Sequence, residues 1–311
     1  MAALRTAVIG VGYMGRFHAQ KFASCRGAQL VAVADTNAER AHDVAREVGC
    51  APHTDYRRLL HSIDAAAVAV STELHYRVVR DCLEAGVNVL VEKPLARSVK
   101  EADSLLALAR RKRVLLQVGH LERFNPAFRA LAAHKARPLF IDIERLAPFK
   151  PRGTDVDVVL DLMIHDLDLV LALEGAPVEH VSACGFSVLT DAIDIANARI
   201  EFASGCVASV SASRVSQSPV RKLRVIRRRG YVSADLQGQR LRTVRKSGSA
   251  IRETERAFER TDALRLQAEA FVRAIRSRRP PAVGGDEGRR ALQLALQVRE
   301  LIRARIARYT P

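Results

Sequence analysis

The stretch that most constrains this chain is Gly10-Val11-Gly12-Tyr13-Met14-Gly15, set between Thr6-Ala7-Val8-Ile9 and Arg16-Phe17-His18-Ala19-Gln20-Lys21-Phe22-Ala23. The first flank is a short β-branched apolar run that reads as a buried strand, and the second is patterned as an amphipathic helix. A glycine loop in that setting meets the needs of a dinucleotide pyrophosphate. The first Gly permits the tight turn, the second lets backbone approach phosphate, and the third lets helix pack on strand. The helix N-terminus then turns amide groups and the positive end of its dipole toward the anion. A second strand, Gln29–Ala34, ends at Asp35, twenty residues past Gly15. A carboxylate at that place can bond an adenine-ribose 2′-hydroxyl.

From residue 5 to 119 strand and helix patterns alternate. Further strands are expected at 51–53, 65–70, 87–91 and 114–118. Helices are expected over 37–48, with Asn37 as cap and Gly49 as stop, over 55–61 and 75–85, and from Ser98 to about 111. Such alternation predicts a doubly wound parallel sheet, a Rossmann domain, in residues 1–120. Ligands then sit beyond the strand C-termini, where Gly10, Asp35, Ser71, Glu92 and Gly119 fall. Beyond Gly119 the rhythm changes. After helix patterns at 125–136 and 155–173 come successive strand-like runs, and two helices over 263–276 and 288–308 close the chain. Strands without intervening helices predict an α+β domain over 121–311 with a mostly antiparallel, open-faced sheet. Its uncovered face would suit a partner subunit, so a homodimer or homotetramer is expected.

Composition narrows the function. Over 311 residues, 48% are hydrophobic and 27% charged, ordinary values for a globular chain. Met1–Arg5 run straight into the first strand, so no signal peptide is expected, and no apolar run reaches membrane-spanning length. Five cysteines lie far apart without C-x-x-C spacing, which reads as small buried hydrophobes in a reducing cytoplasm. The net charge of +16 raises nucleic-acid binding as an alternative. The densest basic run, Arg221 to Arg229, has no aromatic residues interleaved to stack bases, so no nucleic-acid partner is expected. A positive field would equally steer an anionic metabolite into a cleft.

Three groups can carry chemistry. Lys93, between Glu92 and Pro94 at a strand end, can donate to a substrate hydroxyl and stabilise an alkoxide. Asp161 and His165 are four residues apart on one helix face, a pairing suited to acid–base work near neutral pH. His165 reads equally well as a satisfied core histidine. Adding Asp166 and Asp168 gives a metal reading, which is the weaker one, and no metal is expected. The third group is Gly119-His120-Leu121-Glu122-Arg123-Phe124-Asn125-Pro126, a polar cluster apt for sugar hydroxyls or a charged group, or else a solvated interdomain linker.

GVGYMG, EKP and the Asp161-to-His165 spacing, in that order and at those intervals, resemble the Gfo/Idh/MocA family of oxidoreductases. The likeness runs through the closing Gly284-Gly285-Asp286-Glu287-Gly288 before the last helix. It implies a dehydrogenase in which Gly10, Gly12 and Gly15 cradle the pyrophosphate of NAD and Asp35 holds the adenosine ribose. Tyr13, Met14, Thr36, Arg40, Ser71, Thr72, His75, Glu92 and Gln117 would lie along the same cofactor cleft. Lys93 would touch both nicotinamide ribose and substrate, with Asp161 and His165 completing the catalytic set and His165 as base. Thr36 after Asp35 favours NAD, since a carboxylate there repels a 2′-phosphate. GHLERFNP with VVLDLMIHDLDL resembles the branch of that family that oxidises the C3 hydroxyl of UDP-N-acetylglucosamine on the way to diamino-sugar lipid A precursors. Glu122, Arg123, Asn125, Arg152 and Lys222 would then help hold the nucleotide-sugar substrate. The rivals are a free-sugar or inositol dehydrogenase of the same family and a non-catalytic nucleotide-sensing or nucleic-acid-binding protein.

Overall fold

The structure, a computed structural model, describes residues 2–134, 136–150 and 156–309. Strands β1 (Leu4–Ile9), β2 (Ala28–Ala34), β3 (Ala51–His53), β4 (Ala65–Val68), β5 (Asn88–Val91) and β6 (Leu116–Val118) form a six-stranded parallel sheet in the order β3-β2-β1-β4-β5-β6. Val8, Ala65, Ala67, Val89 and Leu90 are buried, as strands covered on both faces must be. Between them run helices α1 (Tyr13–Ala23), α2 (Ala38–Val48), α3 (Thr72–Glu84) and α4 (Val99–Lys112). The strand order reverses between β1 and β4, which opens a crevice at their C-terminal ends.

Local chemistry sets the helix limits. The Asn37 side chain accepts from the Arg40 amide, and Gly49, at φ 73°, ends α2 in the left-handed region. Ser98 accepts from Glu101 to start α4. The helix expected over 55–61 is a single 3-10 turn, Tyr56–Leu59, capped by Asp55.

By contacts the chain divides into two units, Met1–Leu121 with Asp262–Arg289, and Glu122–Thr261 with Arg290–Pro311. This differs from the single cut after residue 120, because α7 (Ala263–Ser277) and the start of α8 (Gly285–Tyr309) belong to the first unit. Phe271 of α7 meets Phe22 of α1 edge to face with centroids 6.4 Å apart, and Lys21 pairs with Asp262 at 2.8 Å. Val118 donates to the Val283 carbonyl at 3.0 Å, and Gln117 forms an isolated bridge with Gly284. These contacts join residues far apart in sequence, so no local pattern announces them.

The second unit holds α5 (Pro126–Ala132), β7 (Phe140–Leu146), α6 (Ile164–Leu173) and strands β8 (Val178–Phe186), β9 (Ile195–Phe202), β10 (Val207–Ser213), β11 (Val220–Arg227), β12 (Gly230–Asp235), β13 (Arg240–Ser247) and β14 (Ala250–Ala257). They form an eight-stranded sheet ordered β14-β13-β12-β11-β7-β10-β9-β8, in which only β7 and β10 are parallel among the paired neighbours. Along β9, Ala196, Ala198, Ile200 and Phe202 are buried while Ile195, Asn197 and Arg199 are exposed, the alternation of a sheet covered on one face. The covering side includes Leu167 and Val170 of α6 and Val298 and Ile302 of α8. The architecture is therefore a Rossmann domain followed by an α+β domain with a mostly antiparallel, open-faced sheet.

If α7 is an integral part of the first unit, Phe271→Ala should destabilise it by about 3–5 kcal/mol. Ile251→Ala, on the exposed β14, should change stability by less than about 0.5 kcal/mol. The chain has no Trp, so urea unfolding followed by far-UV circular dichroism is the measurement. Equal effects for the two variants would refute this packing.

Candidate active site

The glycine loop is built by close contact. Gly10 sits at φ 82°, and a Cβ there would lie 2.8 Å from the Ala69 backbone. A Cβ on Gly15 would fall onto the Gly10 carbonyl. At Gly12 a Cβ would meet nothing within 4 Å, so its missing side chain is not explained by internal packing. Gly12 is also the N-cap of α1, and no acidic residue occupies the first turn of that helix. Tyr13 and Met14 open it. An uncapped N-terminus beside an open glycine is a cradle for an anion.

Asp35 ties this loop to the end of β2. Its carboxylate accepts from the Val11 amide at 2.9 Å, from the Asn37 amide at 2.9 Å and from Arg40 Nη2 at 3.0 Å. A cleft of about 320 Å³ opens beside it, lined in part by Gly10, Gly12, Asp35, Thr36, Arg40 and Ser71. Thr54, Tyr56, Leu74 and Arg77 also line it, and these the sequence reading did not single out. The Asp55 cap before a turn was the only local signal for Tyr56, whose hydroxyl donates to Asp81 at 2.7 Å.

Lys93 is partly buried at the end of β5, and its peptide bond to Pro94 is cis. Beside it Glu92 is bonded to His18 of α1, with Oε1 2.6 Å from Nε2, and accepts the Lys93 amide at 3.3 Å. Burial alone would raise the Glu92 pKa. The His18 hydrogen bond and charge, with Lys93, outweigh burial and hold it below the ordinary value. Glu92 thus anchors the Lys93 turn, and its partner His18 was missed by sequence reasoning. His75 moves from its expected place. It is buried, with Nδ1 2.7 Å from the Pro94 carbonyl and Nε2 3.1 Å from the Val70 carbonyl, and burial holds its pKa below the usual range. It links two strand-end loops from behind. Gln117 is buried as well, donating to the Gln267 carbonyl of α7 at 3.4 Å. Ser71 is the N-cap residue of α3 and is exposed, with Thr72 next to it.

In the second unit, Asp161 lies on a π turn, Val159–Met163, and His165 in the first turn of α6. Asp157 starts this segment by accepting the Val159 and Leu160 amides. Asp161 and His165 are both partly exposed, whereas Met163, Ile164 and Asp166 to Val170 are buried, so the pair shares the accessible face. A π turn inside a helix is a recurrent feature of functional sites.

Several expected substrate residues have structural duties instead. Asp166 forms a two-bond pair with Arg145 at 2.7 and 2.8 Å, and Arg145 also reaches Glu122 at 3.0 Å. Burial works against the Arg145 charge, but Asp166 and Glu122 outweigh it and hold the guanidinium firmly protonated. Arg123 is paired with Asp168 at 2.6 and 3.0 Å, which commits the guanidinium and the carboxylate together. Asn125 caps α5 and donates to the Leu236 carbonyl at 2.7 Å. Lys222 is exposed on β11 opposite Glu144 of β7. Leu223 and Arg145 face the covered side of the sheet, so Lys222, one residue out of step, faces away from Asp166. Glu122, Arg123 and Asn125 thus each make internal bonds, and Lys222 stands on the open face of the sheet. Arg152 lies outside the described residues. The metal reading weakens for the same reason, since Asp166 and Asp168 are each held by a guanidinium.

Comparison with known proteins decides the family. Residues 4–120 match the oxidoreductase family model described as an NAD-binding Rossmann fold of the Gfo/Idh/MocA type, and residues 144–233 match the Gfo/Idh/MocA C-terminal domain. UDP-N-acetylglucosamine 3-dehydrogenase of Acidithiobacillus ferrooxidans is 40% identical over 99% of this chain and 100% of its own. The chain belongs to the Gfo/Idh/MocA oxidoreductase family. A crystal form of the Acidithiobacillus enzyme superimposes with a TM-score of 0.93 at 41% identity, covering 98% of this chain and 99% of that one. Myo-inositol 2-dehydrogenase of Thermotoga maritima is 27% identical over 94% of each chain. A scyllo-inositol dehydrogenase of Lactobacillus casei, solved with NAD(H) and scyllo-inositol, shares the fold with a TM-score of 0.84 at 17% identity over 97% of this chain and 98% of that one. As a Gfo/Idh/MocA member this protein is an NAD-binding oxidoreductase, and the Gly10 loop and Lys93 fall within its NAD-binding match, Asp161 and His165 within its C-terminal one.

The Glu92–His18 pair makes a pH prediction. Because the folded Glu92 pKa lies below its ordinary 4.5, its stabilisation is complete above that value and is lost as pH falls through the lower folded pKa. Glu92→Gln should cost about 3–5 kcal/mol near neutral pH, and the gap to wild type should narrow toward about pH 3. Denaturant midpoints measured across that range give the answer, and a gap independent of pH would contradict the pairing.

Proposed function

We propose that the chain oxidises the C3 hydroxyl of UDP-N-acetylglucosamine to the 3-keto sugar, with NAD as the hydride acceptor. The observation that carries this reading is the 40% identity with the Acidithiobacillus enzyme across 99% of the chain. The ketone is the form on which an aminotransferase can act, which suits a route to diamino-sugar lipid A precursors.

The cradle at Gly10, Gly12 and Gly15 and the cleft beside Asp35 fit a dinucleotide. NAD, when bound, supplies an acceptor for the hydride leaving the sugar carbon. Gly12 and the first turn of α1 bind the pyrophosphate, and Asp35 accepts from the adenosine ribose. Arg40 is already paired with Asp35 at 3.0 Å, so this corner offers a carboxylate and a spent cation. That balance favours NAD over a 2′-phosphorylated cofactor. Lys93 donates to the reacting hydroxyl and stabilises negative charge on its oxygen. His165 takes the hydroxyl proton, and Asp161 on the same helix face favours the imidazolium that results. The open face of the eight-stranded sheet serves a homodimer or homotetramer.

A free-polyol dehydrogenase is the second reading, supported by the inositol dehydrogenase relative at 27% identity. Purified protein with NAD should reduce it on addition of UDP-N-acetylglucosamine and stay near baseline with myo-inositol or glucose. The reverse pattern would sink the favoured substrate. His165→Asn and Lys93→Ala should each lower kcat by about 10²–10⁴-fold, while His165→Asn leaves NAD affinity unchanged by calorimetry. Full activity in either variant would remove that residue from the mechanism. Gly12→Ala should fold normally yet bind NAD more weakly, whereas Gly15→Ala should fail to fold, as the Gly10 carbonyl dictates.

A further inference from the structure

The hairpin between β11 and β12 carries Arg227, Arg228 and Arg229, and β13 alongside contributes Arg245 and Lys246. With His134, from the segment after α5, they line a pocket of about 350 Å³. Its described lining contains no carboxylate. Other arginines of the same strands are matched, Arg224 to Asp142 at 2.9 Å and Arg242 to Glu253 at 2.6 Å. Among these cations Arg227 is half-buried, while Arg228, Arg229, Arg245 and Lys246 are exposed. Arg227 donates through Nε to the Ala136 carbonyl at 2.6 Å and through Nη2 to the His134 carbonyl at 3.4 Å. Its Nη1 is buried with no hydrogen-bond partner. Such an orphaned donor is costly, and costlier when charged. Arg245 Nη2 lies 3.2 Å from His134 Nδ1, so the guanidinium donates and the ring accepts at that nitrogen. Burial, then Arg227 and Arg245, lower the His134 pKa, which keeps the ring neutral for that role. Burial and the Arg245 charge likewise lower that of Arg227. Arg229 holds φ at 68°, a left-handed conformation unfavourable for a side chain of its kind.

The pocket is separate from the charged network under α6. Ile226 pairs with Phe140 at the start of β7, while Arg145, which holds Asp166, lies near the other end of that strand. At about 3.3 Å per residue the two ends are about 17 Å apart.

We propose that this pocket is an anion site that takes a small phosphoryl-bearing molecule, bound by Arg227, Arg228 and Arg245. Guanidinium forks match phosphate geometry. The volume suits a small metabolite.

Titration calorimetry on the NAD-saturated protein tests it, with inorganic pyrophosphate as one probe and glucose 1-phosphate as the other. Either probe should bind once per chain, and the tighter one tells whether the source is inorganic or an ester. Arg228→Gln/Arg245→Gln, both exposed positions, should weaken binding by about tenfold or more. Arg111→Gln/Arg279→Gln, which removes the same charge elsewhere, should leave it within about twofold. No binding of either probe up to about 5 mM, or equal weakening in both double variants, would overturn the proposal.

Discussion

The first unit depends on how closely α1 can approach the sheet. Gly15 lies against the Gly10 carbonyl, and Gly10 against the Ala69 backbone, so the helix starts where the strands end and nowhere further out. Everything else that α1 does follows from that position. His18 reaches Glu92 under the Lys93 turn, Phe22 meets Phe271, Lys21 meets Asp262, and Arg16 reaches Glu47 of α2. One helix therefore fixes the anion cradle, the lysine turn and the returning α7 together. A side chain at Gly15 would disturb all three at once, which is why two adjacent contacts without any hydrogen bond outweigh the exposed ion pairs around them.

The second unit solves a different problem. It buries Arg145, Asp166, Asp168 and most of Glu122 beneath the helix that carries Asp161 and His165. Desolvating these ions costs more than an apolar core of the same volume would, so the network is a poor source of stability. What it provides is a single registration of α6 against β7, since slipping the helix by one residue would leave a buried charge unpaired. The π turn lies immediately before this clamp, so its irregular backbone is supported from the residue beyond it.

These two arrangements explain what was legible in the sequence. The Rossmann half could be read because strand, loop and cap signals are local: Asn37, Gly49 and Ser98 act where their chemistry says they should. The open-faced sheet was legible because strand-like runs follow one another without helices between them. The return of residues 262–289 to the first unit was not, because Phe271 and Val283 find partners 165 or more positions away. The site divides the same way. Glycines and Asp35 declare themselves by spacing, whereas Glu122, Arg123 and Asn125 look like ligands in a string of polar residues. Only the structure shows their partners, Arg145, Asp168 and Leu236.

The basic run from Arg221 to Arg229 shows why a charge count cannot stand for a surface. Its members alternate between sheet faces, and each face treats them differently. Arg221, on the covered side, reaches Glu122 at 3.3 Å. Arg224, on the open side, takes Asp142 of β7. Arg227 returns to the covered side, where it donates to the carbonyls of His134 and Ala136. Carbonyls satisfy donors without cancelling charge. The same sequence pattern therefore yields a clamp strut, a surface pair and an uncompensated cation, in that order along one strand. The net charge of +16 therefore becomes chemically specific only through the partner each position finds, a carboxylate at the first two and carbonyls at the third.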